Sequence, residues 1–290
     1  MEQLDIFEHT RGLMLKNDVL AALRRRDALE GHRTLKVLAG EFPDDGVIKP
    51  METLLVTLAN VVTRFSAADR CAEAIHHMET VVIPAATLVF DNHEAIAWLA
   101  PVWQALAKSA EGLPFDNDRP NTHAAWLYLI AGFWAQSKIQ TASIPSWHRN
   151  SETLAWMAEA AYGEGGLDAA WCQLAELAWI DAPKFGTLAR RLKTDAILQK
   201  LLDDFDGGFK SEDPSYLAWF PAFLLIEIPA LISILREART RGNTAPERTA
   251  RLIMELLSLE KQGRHADVIA QRKRLRDYHG GLFSRYMSTR

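Results

Sequence analysis

The 290-residue chain predicts an all-α protein built of stacked antiparallel helix hairpins. Three observations carry this reading. Apolar residues recur three and four positions apart along almost the whole length, and period-two alternation is nearly absent. Glycine, proline, aspartate and asparagine punctuate that pattern at short intervals, so the links are short and consecutive helices become antiparallel neighbours. Hydrophobic residues make up 48% and charged residues 24% of the chain, which excludes whole-chain disorder. Helix is expected over more than about 60% of residues, roughly twice the usual share, with strand close to nil.

The elements follow in order. A first helix is expected over Leu4–Lys16, after which Asn17 or Asp18 caps a second with Val19, Leu20 and Leu23 on one face. Ala28–Phe42 follows and is ended by Pro43-Asp44-Asp45-Gly46. Met51–Phe65 is apolar on most sides, and Ser66 caps a long helix that Pro84 interrupts or kinks. Asp91-Asn92 precedes a helix over Glu94–Ala110 that contains Pro101. After the loop Pro114–Pro120, Asn121 or Thr122 caps one helix carrying both Trp126 and Trp134. A second loop, Thr141–Asn150, leads to a helix opened by Ser151 and Glu152 and closed by Gly163, Gly165 and Gly166, with Asp168–Ile180 as its partner. Short helices are expected over Pro183–Leu192 and Asp195–Phe205. Asp203–Asp213 reads as a polar loop and divides the chain into an N-terminal array, residues 1–205, and C-terminal hairpins, residues 206–290. The latter comprise Tyr216–Ile226, Ala230–Ala238, Glu247–Gln262 and His265–Tyr278.

Three of these helix pairs have matching internal spacing. Val19–Asp27 with Ala28–Pro43 places Gly31, Leu35, Leu38 and Pro43 in series; Leu154–Gly165 with Leu167–Pro183 and Ala250–Gly263 with Arg264–Gly280 are looser. The pattern resembles degenerate tetratricopeptide units, which are pairs of helices closed by proline over about 34 residues. The resemblance covers about a third of the chain and lacks the family's tryptophan–leucine–glycine signature. It implies a tetratricopeptide-like α-solenoid, in which each pair buries its apolar stripe on the next. An irregular right-handed helical array is the alternative.

Charge is uneven: residues 236–290 hold 13 Lys and Arg against 6 Asp and Glu, while the whole chain is at −4. Such a segment suits an acidic partner, or self-association with the acidic body. The start, MEQLDIFEHT, lacks the basic and apolar runs of a secretory signal, and a cytoplasmic location is expected. The longest apolar stretch, Tyr216–Leu235, contains Glu227, Pro221 and Pro229, so it reads as buried helices and not as a membrane span. Cys71 and Cys172 belong to no metal or disulfide spacing.

Motifs for chemistry are weak. Glu73 and His76 form one Glu-x-x-His pair, with His77 adjacent, but the carboxylate-bridged di-iron pattern needs two. His93-Glu94 begins a zincin-like motif whose second histidine is Ala97. Asp203–Gly208 fails the register of a calcium loop. No GxSxG, Walker or GxGxxG sequence occurs. No metal or cofactor is therefore expected. Trp98, Trp103, Trp126 and Trp147 are candidates to line a partner groove, although large aromatics at helical spacing more often pack between helices. Trp126, Trp156 and Trp171 are expected to be mostly buried. Arg272, Lys273, Arg274 and Arg276 form the densest basic patch. The reading that follows is a non-enzymatic scaffold or adaptor that binds a protein or peptide. The alternatives are an all-α enzyme with a site between helices and a nucleic-acid accessory factor that uses the basic patch.

Overall fold

The computed structural model describes residues 2–60, 64–192, 196–239, 242 and 244–290, with the backbone alone for 2–9. The protein is all-α. About fifteen helices pack mostly against their neighbours in sequence, and no strand occurs among the described residues. Met1–Ser137 and Lys138–Arg290 form two units, each around its own apolar core.

In the first unit α1 (Glu2–Arg24) is one helix. The break expected at Asn17-Asp18 is absent. Both residues are exposed, while Gly12, Val19 and Leu23 keep one buried face running past them, so continuous packing overrides the capping tendency. Arg26 turns the chain in the left-handed region (φ 58°), and Asp27 caps α2 (Ala28–Glu41) by accepting the Glu30 N–H at 3.0 Å. Arg11 forks onto Glu41 at 2.7 and 2.8 Å and ties the end of α2 to the middle of α1. Gly31 lets α2 approach α3 (Ile48–Ala59) closely, since a Cβ there would lie 2.3 Å from a Leu55 methyl. That helix stops short of the expected Phe65, and residues 61–63 lie outside the description.

The helix carrying Pro84 starts after Ala67, whose side chain cannot cap, and not at Ser66. It runs as α4 (Ala68–His77), a π turn over Met78–Val82, and α5 (Ile83–Val89). Pro84 lacks the N–H that would bond back along the helix, and the wider π turn just before it absorbs the defect. Asp91 caps α6 (Asn92–Ala110), which continues through Pro101. Next, His123 caps α7 (Ala124–Ile130) by accepting the Ala125 N–H on Nδ1 at 3.2 Å, where Asn121 or Thr122 was expected. Trp126 and Trp134 are not on one helix. Gly132, at φ 77°, separates α7 from α8 (Trp134–Ala142).

In the second unit Asn150 caps α9 (Ser151–Ile180) through the N–H groups of Glu152 and Thr153. Gly165 and Gly166 are non-helical and break it into the two expected halves, residues 151–164 and 167–180. Asp181 caps α10 (Ala182–Arg191). Lys184 pairs with Glu152 and Arg191 with Glu159, both 32 residues apart, so α10 runs parallel to the first half of α9. Leu198, Leu201, Leu202 and Phe205 bury one face of α11 (Ala196–Phe209). That face carries the helix straight through Asp203–Gly208, so the expected polar loop is an exposed helix side there. The anticipated division at residue 205 falls inside α11, and Asp195 lies outside the description.

The apolar stretch forms a 3-10 turn, Pro214–Trp219, then α12 (Phe220–Glu227), a second 3-10 turn, Pro229–Leu231, and α13 (Ile232–Leu235). Among the described residues no single helix is long and apolar enough to cross a membrane, and this pair bends by 107°. Phe220–Ile226 are buried in the unit's core. Thr244 opens α14 (Ala245–Lys261), followed by α15 (His265–Tyr278). A further helix, α16 (Gly280–Ser288), was not anticipated. His279 caps it and Leu282 and Tyr286 anchor it, both at 0% exposure.

Candidate functional site

Trp98 and Trp103 are core residues of the first unit, 5% and 6% exposed. The Trp98 indole N–H donates to the Leu23 carbonyl at 3.1 Å, and its ring lies under the Arg26 guanidinium. Trp126 is half-buried and meets Trp103 edge-on at 6.4 Å. These tryptophans pack helices together, and the first two are almost wholly buried. Trp156 and Trp171 are each 3% exposed, and Trp126 is partly buried against the first unit's core, as expected. Trp147, in the second unit, is half-buried under Arg239.

The basic patch divides. Arg272 turns inward, donating to the Tyr286 hydroxyl at 3.1 Å and to Glu260 at 3.0 Å. Lys273, Arg274 and Arg276 stay exposed, with Arg274 donating to Gln271 and Arg276 near Asp277. Glu73 is exposed and pairs with Arg70 at 3.1 Å; His76, His77 and His93 are exposed too. Among the described residues no group of three or more His, Cys, Asp or Glu could hold a metal ion. Burial pushes the Cys71 thiol up to about 11, and its Sγ donates to the Thr122 carbonyl. That environment keeps the thiol protonated and unreactive.

Among the described residues the second unit buries two charged side chains that no sequence motif marks. Glu176 and Glu247 are each 1% exposed, on α9 and α14. The Glu176 carboxylate accepts the Arg239 backbone N–H at 2.7 Å. Glu247 accepts from the Arg251 guanidinium at 3.2 Å, and Arg251 also donates to the Ala238 carbonyl at 3.1 Å. Arg251 lies over the Trp179 ring and Arg239 over Trp147. Buried charges persist only when paired and hydrogen-bonded. Here the pairs grip one short piece of backbone, Ala238–Arg239, by its carbonyl and by its N–H. Their role is positional.

The segment just before that clamp forms one wall of an open cleft of about 340 Å³. Pro229, Ala230, Ile232, Ser233 and Arg236 make that wall, and Ser258, Lys261 and Gln262, from the end of α14, face them. Arg236 donates to Ser258 Oγ over a long 3.4 Å, and Ser258 in turn donates to the Met254 carbonyl at 2.8 Å. Among the described residues neither Arg236 nor Lys261 has an ion-pair partner. A second cleft of about 330 Å³ lies between α11 and α16. Its arginine is already committed, since Arg285 forks onto Glu227 at 2.7 and 2.8 Å. The first cleft thus combines an apolar wall with two uncommitted cations. No protein-family model, curated protein or solved structure matches the chain.

Proposed function

We propose that the protein is a non-enzymatic helical-array scaffold or adaptor that binds a protein or peptide partner. The observation that carries this is the register in the second unit. The first half of α9 turns at Gly165-Gly166 into the second half, and α10 then returns parallel to the first, held by the Glu152–Lys184 and Glu159–Arg191 pairs. A helix, its partner and the next helix parallel to the first are the repeating step of a tetratricopeptide-like stack. It occurs over the segment whose spacing resembles that family. The close contact of Gly31 with α3 in the first unit is of the same kind. Such arrays present extended faces suited to peptides and helices, and function by holding a partner.

The test is affinity capture from the native cell, followed by reconstitution from purified components and titration calorimetry. A saturable, stoichiometric complex with the captured protein supports the reading. Failure to reconstitute, or turnover of a small molecule by the chain alone, overturns it.

A further inference from the structure

We propose that the cleft between Pro229–Arg236 and the end of α14 receives a phosphorylated side chain of the partner, a phosphate monoester carried on a peptide. This rests on the scaffold reading above.

Around this part of the unit, Arg239, Arg251, Arg272, Arg285 and Arg290 each lie within ion-pair distance of a glutamate. Arg236 and Lys261 face one cleft with no such partner among the described residues. Lys261 sits in the last turn of α14, where it also offsets the negative helix end. That end amounts to roughly half a charge, which leaves the cleft near +1.5. A phosphate monoester carries about −1.5 to −2 at pH 7, a closer match than the single charge of a carboxylate.

The donors fit as well. Arg236 spends one N–H on the long bond to Ser258, leaving the rest of its fork for an oxyanion. Lys261 brings three donors and the Gln262 amide two. The Ser258 hydrogen is already given to Met254, so its oxygen orients Arg236 and does not compete for the ligand. Pro229, Ala230 and Ile232 offer carbon surface for the methylene and backbone beside the phosphate. The cleft is near the lower end of the usual range of about 300–1,000 Å³ for ligand sites, which suits one side chain. The Glu176 and Arg251 clamp on Ala238–Arg239 holds the Arg236 wall in place before any ligand arrives.

The test uses the full chain and fluorescein-labelled peptide mixtures with degenerate flanks around a central phosphoserine, glutamate or serine, read by anisotropy. The phosphoserine mixture is expected to saturate and to bind about tenfold more tightly than the glutamate mixture, with none for serine. Arg236→Ala and Lys261→Ala should each weaken phosphopeptide binding by about tenfold or more, the loss of a charge-assisted contact, with unchanged melting. Arg274→Ala should leave binding unchanged. Equal binding of the glutamate mixture overturns the phosphate assignment. Inorganic phosphate competing as strongly as the peptide overturns the peptide assignment in favour of a small phosphorylated molecule. An Arg274→Ala loss equal to that of Arg236→Ala shows diffuse charge attraction and overturns the cleft. If the reconstituted partner binds the Arg236→Ala/Lys261→Ala protein as well as the natural chain, the scaffold stands and the cleft falls. If no partner reconstitutes while the phosphopeptide still depends on both residues, the cleft stands and the scaffold falls.

Discussion

Two glycines on α2 separate packing from helix propensity. At Gly40 a Cβ would meet nothing within 4 Å; at Gly31 it would lie 2.3 Å from one Leu55 methyl, 3.3 Å from the other and 3.4 Å from Cγ. Alanine gains about 0.5–1 kcal/mol over glycine inside a helix. Gly40→Ala should therefore stabilise α2 by up to that amount. Gly31→Ala takes the same gain and adds overpacking. Leu55 is 0% exposed, so its head has no free space to enter and α2 must shift from α3. Overpacking of this kind costs typically about 1–3 kcal/mol. The two variants should differ by about that, with Gly31→Ala the less stable. Hydrogen exchange read by mass spectrometry on peptides from α2 and α3 measures the local opening free energy in each variant. It needs no assumption that the two units unfold together. Equal protection in Gly31→Ala and Gly40→Ala would refute the close α2–α3 approach, and with it the stacked-pair geometry of the first unit.

Three further outcomes follow from particular side chains. Burial lowers the His123 pKa from 6.5 to about 4, so the unfolded chain takes up a proton there that the folded chain refuses. Stability should rise with pH across that window and be lost as pH falls through it, by up to roughly 3 kcal/mol. His123→Asn, which can still cap α7, should flatten that part of the profile; an unchanged slope in acid titration would contradict the assignment. Tyr286→Phe removes a hydroxyl shared by the half-buried Glu260 and Arg272 and should cost about 1–3 kcal/mol by denaturant unfolding, since hydrogen bonds to charged partners are lost. Trp171→Ala should cost about 3–5 kcal/mol, because the side chain is 3% exposed in the core of the second unit. A loss below about 1 kcal/mol would move that tryptophan out of the core.

What the sequence discloses is what local chemistry decides. Asp27, Asp91 and the Gly165-Gly166 pair act on their own backbone, and helix ends fall where those residues stand. The reading goes astray where tertiary packing outweighs a local signal. Asn17-Asp18 resembles a cap, yet the buried face of α1 carries the helix past it. Asp203–Gly208 resembles a loop, yet Leu201, Leu202 and Phe205 hold it helical. The last helix pair is expected to end at Gly280, yet His279 and the buried Tyr286 make that point the start of α16. The cleft was out of reach for another reason. Arg236 and Lys261 are ordinary exposed cations in sequence, and only the fold of Pro229–Leu235 against the end of α14 sets them face to face. Glu176 left a trace, a carboxylate between Ala175 and Leu177 in an otherwise apolar turn, but its partner lies 63 residues away.

The paired rungs between α9 and α10 bear on alignment more than on strength. Partly exposed ion pairs contribute little, typically about 0.2–1 kcal/mol each. Their effect lies in the spacing. A slide of α10 by one helical turn, about 5.4 Å, would set Glu152 opposite Leu188 in place of Lys184, or carry it past the first residue of α10. Both rungs would be lost together, because they share one offset. The apolar faces of two helices tolerate several axial positions, and the charges select one of them. A chain made of such steps could exchange much of its interior without losing its alignment, provided the rungs kept their seven-residue interval.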